Sequence, residues 1–392
     1  MSEAVARRDP RVSPIELFFD LMFAFAFTEV TTLWLDQSTW RGLGEGFVIL
    51  ALLWWVWASY AWLTNTADPQ ANVVWAVMLF ATACLFVAAL AVPTAFTGHG
   101  PLFGVALFAV LIAFIGLYAL VSKPRSDQLT AVLRMARSEL PAAAVLLGAS
   151  FAGAPWRAGL WALVVVIGLF GPNLNGLSGW RVYPPHFAER HGLILIIAIG
   201  ESLGAIGFGA RATPLHAAVI VAAVLGLVVT AGFWLAYFDF AASGIESLLT
   251  HRQGTERTAL ARDAYTYGHL PMAAGILLFA FAMRSMLPHV SSNLGTVPAL
   301  ALCCGPAIYL LAFVGLRWRV SRQLGSGRLI AALACALLTP VAIYGSAILG
   351  LALVTAVWLC LHAYELIWWR EERAQRRAPS RPIAGTAPKS VV

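Results

Sequence analysis

Apolar runs of about 20 residues, the length a helix needs to cross a ~30 Å hydrocarbon core, recur almost without a break from Ser13 to Trp369. Hydrophobic residues make up 60% of the 392-residue chain and charged residues only 11%. This composition leaves too little polar surface to cover a soluble globule. The sequence therefore predicts an all-α, polytopic transmembrane helix bundle of about twelve helices, with no soluble domain.

Proline, glycine and polar residues separate the runs and set the predicted helix boundaries. The fifth run begins with two arginines and Glu139 on an amphipathic turn and then meets Pro141, so we expect it to start in the membrane interface and cross late. The predicted spans lie near residues 14–36, 43–65, 71–94, 101–122, 129–151, 156–179, 186–210, 215–240, 263–284, 297–317, 328–347 and 349–369.

The basic residues predict the orientation of the chain. With a cytoplasmic N-terminus and twelve spans, four arginines lie outside, Arg190 lies within the membrane, and 21 of the 26 Lys and Arg residues lie on the cytoplasmic side. Because Lys and Arg are enriched in cytoplasmic loops, we predict that both termini are cytoplasmic. Topology also explains the net charge of +7, so no nucleic-acid partner is expected. We expect membrane lipids and a small-molecule or ion substrate as partners. The sequence leaves open whether the protein forms a homo-oligomer.

The two halves of the chain resemble each other. The stretch from Pro14 to Glu29 has an acid near the start of its helix and another about a dozen residues on, and the stretch from Pro185 to Glu201 repeats this arrangement. We therefore predict two parallel six-helix repeats. The predicted domains are a cytoplasmic N-terminal tail (1–12), the two membrane repeats (13–180 and 181–370) and a basic, disordered C-terminal tail (371–392).

Charged side chains within the spans are the strongest functional signal, because each costs at least ~2.5 kcal/mol at a helix centre. Arg190 and Glu201 lie on one stripe of their helix but about 16 Å apart along it, so they cannot pair with each other. We expect Arg190 to pair with an acid of the first helix. Gly200, Gly204 and Gly207 are expected on the same side, where a neighbouring helix would approach closely.

Under this topology, polar side chains from four helices converge in the cytoplasmic half. We predict one vestibule there, with Glu201 at its floor. For acids near the headgroup level, such as Glu16 and Asp239, capping or interfacial roles fit equally well. No residue is assigned as catalytic. The predicted substrate-binding or proton-coupling residues are Glu16, Asp20, Glu189, Arg190, His191, Glu201, Asp239 and His269.

Metal and cofactor chemistry have little support in the sequence. The order His186-x-x-Glu189-Arg190-His191 departs from the H-x-x-E-H zinc motif because Arg190 intervenes, and the two histidines diverge by about 140° on an ideal helix. The chain also lacks a phosphate-binding loop and a dinucleotide motif. The five cysteines all lie in apolar runs and are expected to pack in the core. We predict neither a metal nor a cofactor.

The segments Val12–Leu21 and His186–Gly192, together with Gly200-Glu201-Ser202, resemble the signature of the bacterial low temperature requirement protein A (LtrA) family. The stretch Tyr265–Pro271 is also similar to the family pattern, and the resemblance extends over nearly the whole chain. It implies a multi-pass protein of the bacterial inner membrane, named for a growth phenotype in the cold and without an agreed biochemical activity.

Three functions fit these residues. Acids outnumber bases inside the membrane, which favours a transporter of a cation, a proton or a small amphiphile. The alternative is a membrane-embedded enzyme acting on a lipid or isoprenoid, with Glu189 or Glu201 as acid or base. In that enzyme His191 or His269 would be the partner, and Arg190 would clamp an anionic head. A structural or lipid-sensing role ranks third because it leaves the deep Glu and Arg unexplained.

Overall fold

The computed structural model describes residues 11–122, 124, 126–174 and 176–368. The predictions for residues 1–10 and 371–392 lie outside this part of the chain. The described residues contain no strand, which confirms the predicted all-α polytopic bundle. Their twelve long helices are α1 (Pro14–Asp36), α2 (Trp40–Thr64), α3 (Asn72–Thr94), α4 (Gly100–Val121), α5 (Asp127–Ser150), α6 (Ala154–Leu174), α7 (Pro184–Arg211), α8 (Ala217–His251), α9 (Gly254–His289), α10 (Thr296–Ser321), α11 (Ser326–Tyr344) and α12 (Ala347–Trp368).

Eleven of the twelve helices are long and apolar enough to cross a membrane. The remaining helix, α5, carries the charged residues that made the fifth span doubtful in the sequence. It is nevertheless one continuous helix with Pro141 inside it, and it packs against both α4 and α6. The chain is therefore a multi-pass membrane protein in which α5 is the most polar member of the bundle.

The helices α8 and α9 extend beyond the predicted spans. α8 continues to His251 rather than ending near 240, and α9 begins at Gly254 rather than near 263. The predicted boundaries were wrong because hydropathy detects only the part of a helix that is apolar enough for lipid. A π turn joins each polar extension to its apolar span: Tyr237–Ala241 in α8 and Ala261–Tyr267 in α9.

The packing of the first six helices recurs in the last six. In each half, the first helix contacts the second and third, the third contacts the fourth, the fourth contacts the fifth, and the sixth contacts the second and fifth. α1 and α7 pack together and run in the same direction, since Glu16 lies beside Arg190 and Thr28 beside Glu201. The two six-helix repeats stay a prediction, which this recurrence supports. We call the end of the bundle where α1 and α7 begin the near end.

A close helix contact joins α9 and α10 in the second half. A Cβ added at Gly275 would lie 2.5 Å from the carbonyl oxygen of Gly305, and one added at Gly305 would lie 2.7 Å from that of Gly275. Both clashes are with backbone, which cannot rotate aside as a side chain can. Small residues at such positions allow membrane helices to pack by van der Waals contact.

The glycine face predicted on α7 is wrong. A Cβ at Gly200 or Gly207 would meet nothing within 4 Å, and one at Gly204 would meet only Phe208, a neighbour on the same helix. On an ideal helix, Gly200 lies about 80° away from Arg190, so it does not share the buried stripe. The prediction failed because this angle was not weighed against the buried stripe that Arg190 and Glu201 mark.

We expect Gly275→Ala to destabilise the protein by about 1–3 kcal/mol, because the added methyl group overpacks a backbone contact. The matched control is Gly200→Ala, which adds the same methyl group to open space and is expected to be neutral or to stabilise α7 by up to ~1 kcal/mol. Thermal unfolding of both variants in detergent would measure the difference. Equal unfolding temperatures would contradict the close contact between α9 and α10.

Candidate functional site

Arg190 of α7 is fully buried against α1 and α2. Its guanidinium donates to both carboxylate oxygens of Asp20, through Nη2 and through Nε at 3.3 Å. Nη1 donates to Oε1 of Glu16 at 3.3 Å and to Oγ1 of Thr64 at 2.6 Å. The expected pairing of Arg190 with an acid of the first helix is confirmed, and two acids of α1 take part.

Each of these acids has further donors. Oδ1 of Asp20 accepts a hydrogen bond from the indole Nε1 of Trp57 at 2.8 Å, and the Arg190 guanidinium lies 5.8 Å from the centre of the same indole. Oε2 of Glu16 accepts from the backbone N and the Oγ of Ser13, which completes a capping box at the start of α1. Glu16 is therefore both a helix cap and a partner of Arg190. We call Glu16, Asp20, Trp57, Thr64 and Arg190 the Arg190 cluster.

His186 adds a hydrogen bond to this cluster. Its Nε2 lies 3.2 Å from Oε2 of Glu16, and its Nδ1 lies 3.2 Å from the amide nitrogen of Asn65. The Asn65 amide is oriented by its oxygen, which accepts from the backbone N of Tyr183 at 2.8 Å. Nδ1 of His186 is therefore the acceptor, and the ring carries its proton on Nε2. Two carboxyl groups and one guanidinium thus meet in the Arg190 cluster.

A second polar group lies on the other side of Trp57, whose indole meets the His191 ring edge-on at 4.8 Å. We call His191, Tyr237, Tyr265 and His269 the histidine cluster. All four side chains are at most 1% exposed. They come from α7, from the π turns of α8 and α9, and from the start of the apolar part of α9.

Backbone carbonyls fix the tautomers in the histidine cluster. Nδ1 of His191 donates to the Phe187 carbonyl at 2.8 Å, and Nδ1 of His269 donates to the Ala264 carbonyl at 2.9 Å. Both rings therefore direct a bare Nε2 into the cluster, and that of His269 accepts from the Tyr237 hydroxyl at 2.8 Å. Within the described part of the chain, Nε2 of His191 and the hydroxyl of Tyr265 have no hydrogen-bond partner.

Glu201 lies in the opposite half of the bundle, against the second half of α1. Its two carboxyl oxygens lie 2.5 Å from Oγ1 of Thr28 and 2.7 Å from Oγ1 of Thr31. The two hydroxyls also lie 3.1 Å and 2.9 Å from backbone carbonyls of α1. Each hydroxyl has one proton and two acceptors in reach, so the pair can donate to an ionised Glu201 or accept from a protonated one. Arg284 of α9 interacts electrostatically with both Glu201 and Glu29.

The Arg190 cluster and Glu201 do not share the single vestibule that the sequence predicted. Between the Arg190 cluster and Glu201, the interface of α1 and α7 is filled by Phe23, Phe27, Ile194 and Ala198, each at most 1% exposed. Glu201 is therefore separated from the Arg190 cluster by an apolar barrier and is not the floor of a shared cavity.

Two other predicted residues lie apart from the buried core of the site. Glu189 is exposed at the near end, where its carboxylate accepts from the backbone N of Val12 at 3.0 Å. Asp239 is half-buried on the π turn of α8, and Tyr237 is the side chain of that turn that reaches the histidine cluster. No group of three or more His, Cys, Asp or Glu among the described residues is placed to hold a metal ion.

Sequence reasoning missed Trp57, Thr64 and the two threonines that hold Glu201. The sequence contained one indication that Thr28 contacts Glu201. Glu16 and Arg190 are 174 residues apart and Thr28 and Glu201 are 173 apart, so nearly the same offset that aligns the two halves also aligns both contacts. Parallel helices in register bring such pairs together.

Comparison with known proteins agrees with the resemblance of the motifs. The family model of the bacterial low temperature requirement A protein (LtrA) matches residues 11–363, which include the Arg190 cluster, the histidine cluster and Glu201. An uncharacterized protein of Rhizobium meliloti (strain 1021) is 27% identical over 322 residues, covering 79% of this chain and 78% of that protein. No solved structure matches the chain significantly. The chain belongs to the family of bacterial low temperature requirement A proteins.

Proposed function

We propose that this protein transports a proton or a small cation along the interface between α1 and α7. The observation that carries the proposal is the charge imbalance of the Arg190 cluster, in which two fully buried carboxylates face one guanidinium. An uncompensated charge buried away from water is costly. A proton or a cation that binds there removes the imbalance, so the cluster attracts positive charge.

Glu201 is a second position that can bind a proton or a cation on the same interface. We call the Arg190 cluster and Glu201 the two stations. Glu201 lies about 16 Å farther along α7 than Arg190, and its threonine partners suit either protonation state of its carboxyl. The apolar barrier between the two stations blocks a continuous water path in this conformation. Passage between them therefore requires movement of one half against the other, as in transporters built from two repeats.

The orientation of the stations follows from the basic residues. With both termini in the cytoplasm of a bacterial cell, the Arg190 cluster lies toward the cytoplasmic side and Glu201 toward the outer side. Glu29 and Arg284 both interact electrostatically with Glu201, so this end of the interface carries two acids and one base.

A specific observation favours a second candidate, the membrane-embedded acid–base enzyme. Nε2 of His191 and the hydroxyl of Tyr265, which have no hydrogen-bond partner among the residues that the structure describes, are a base and an acid within one buried cluster. Such an enzyme would convert a lipid added to the purified protein without any ion gradient, whereas a transporter requires sealed vesicles. This requirement distinguishes the two functions.

We expect Glu201→Gln to remove the proton dependence of transport, because glutamine keeps the shape of the side chain but cannot exchange a proton. Flux of protons and of small cations into proteoliposomes under an imposed pH gradient would measure this. The matched control is Glu45→Gln, since Glu45 is equally buried but lies on α2, where it pairs with Arg41. Unchanged proton dependence in Glu201→Gln would contradict the coupling role.

A further inference from the structure

Glu139 is a buried acid outside the interface of α1 and α7. It lies on α5 and is 2% exposed. Its Oε1 accepts a long hydrogen bond of 3.4 Å from the indole Nε1 of Trp55, and its Oε2 has no hydrogen-bond partner among the residues that the structure describes. Buried polar atoms are nearly always partnered in folded proteins, so this carboxyl oxygen is available to a ligand that enters beside it.

Glu139 lines a pocket of about 90 Å³ between α2, α5, α6 and α9. The pocket extends from the deep residues Trp55 and Glu139 to half-exposed residues at the near end. The electron-rich faces of aromatic rings attract cations, most strongly when both are shielded from water. Five of the residues that line the pocket are aromatic: Trp55, Trp62, Phe114, Trp180 and Tyr267.

The cation at the rim of the pocket does not neutralise Glu139. Arg262 forms an ion pair with Asp263 at 2.6 Å and lies over the Tyr267 ring, 5.7 Å from its centre. Asp263 is also bound by Arg319 at 2.6 Å. Two guanidiniums thus share one carboxylate at the rim, and in the described part of the chain no ion pair includes Glu139. The deep end of the pocket therefore holds a carboxyl group that has no cationic partner among the described residues, inside an aromatic wall.

We propose that this pocket binds a small methylated ammonium group, of the size found in choline. A primary ammonium donates three hydrogen bonds, and a lining with five aromatic residues offers more ring surface than acceptor oxygens. A methylated ammonium needs no acceptors. It places its charge near Glu139 and its methyl groups on the rings. This site is separate from the proposed transport path and does not depend on it.

The test compares choline with its uncharged analogue 3,3-dimethylbutan-1-ol, which has the same shape. Isothermal titration of the purified full-length protein in detergent would measure both affinities. We expect choline to bind at least roughly tenfold more tightly, because only the charged compound gains from the rings and from Glu139. Equal affinities, or no binding of choline by the folded protein, would overturn the proposal.

Variants and lipids sharpen this test. Glu139→Gln is expected to remove the preference for choline, whereas Glu45→Gln, another buried acid, is expected to keep it. A preference that survives in Glu139→Gln would overturn the assignment of the site. The methylated ammonium can belong to a lipid headgroup or to a free solute, and measurements in nanodiscs distinguish these two sources. If a lipid headgroup fills the pocket, phosphatidylcholine competes with added choline. If a free solute fills it, choline binds equally with or without that lipid. Both results support the proposed chemistry.

Discussion

Replacing Arg190 with alanine is expected to destabilise the protein by about 3–5 kcal/mol, because removal of one partner leaves buried charge without compensation. Arg190 is the guanidinium that faces both Asp20 and Glu16, and all three side chains are at most 1% exposed. Thermal unfolding in detergent, followed by intrinsic tryptophan fluorescence, would measure the loss.

Two further variants separate buried charge from side-chain size. Arg41→Ala removes an arginine that is 65% exposed and bridges Glu45, so it is expected to cost less than about 1 kcal/mol. Adding Asp20→Asn to Arg190→Ala is expected to restore part of the stability, because fewer carboxylates then need a counter-charge. If Arg190→Ala unfolded at the same temperature as Arg41→Ala, the Arg190 cluster would not be a buried charge cluster.

Asp20→Asn alone is expected to abolish transport while the protein stays as stable as the parent or becomes more stable. Asparagine removes the excess negative charge, so Glu16 and Arg190 are left as a balanced pair that needs no cation. The amide oxygen of asparagine can still accept from Nη2 of Arg190 and from Trp57, whereas its amide nitrogen replaces Oδ2 and no longer accepts from Nε of Arg190. The stability gained by removing the excess charge is therefore reduced by one lost hydrogen bond. Flux in proteoliposomes and thermal unfolding, measured on the same preparation, would show whether activity and stability change in opposite directions.

The control for Asp20→Asn is Glu256→Gln. This change also removes one carboxylate, but from an exposed pair with Arg252 at the near end. Because exposed ion pairs contribute little, both flux and stability are expected to match the parent. Parental flux in Asp20→Asn would show that the charge imbalance of the Arg190 cluster plays no part in transport.

The contact of Arg190 was predictable from the sequence, because a buried guanidinium needs a buried acid and α1 offers two of them at the same depth. The twelve helices were predictable for a related reason: lipid demands long apolar runs, and those runs are visible in the sequence. Both predictions rest on energetic costs so large that few alternatives remain.

The arrangement around Glu201 was not predictable in this way. Threonines occur throughout membrane helices, so nothing marked Thr31 as a partner of Glu201, and only the offset between the two halves pointed to Thr28. The glycines of α7 were assigned to the wrong side because the angle of about 80° between Gly200 and Arg190 on an ideal helix was not weighed against the buried stripe. Glu139 was predicted to lie in an interfacial turn, and only the packing of α5 between α4 and α6 shows that it is buried.

In the proposed transport, a proton or a cation passes between Glu201 and the buried Arg190 cluster within the membrane. Solid-supported membrane electrophysiology tests it most directly, since a charge that moves into the protein interior produces a transient current. Jumps in pH and in the concentration of small cations are expected to give such a current with the parent protein, and Asp20→Asn is expected to abolish it. A folded parent protein that gives no current in any of these jumps would contradict the proposed transport.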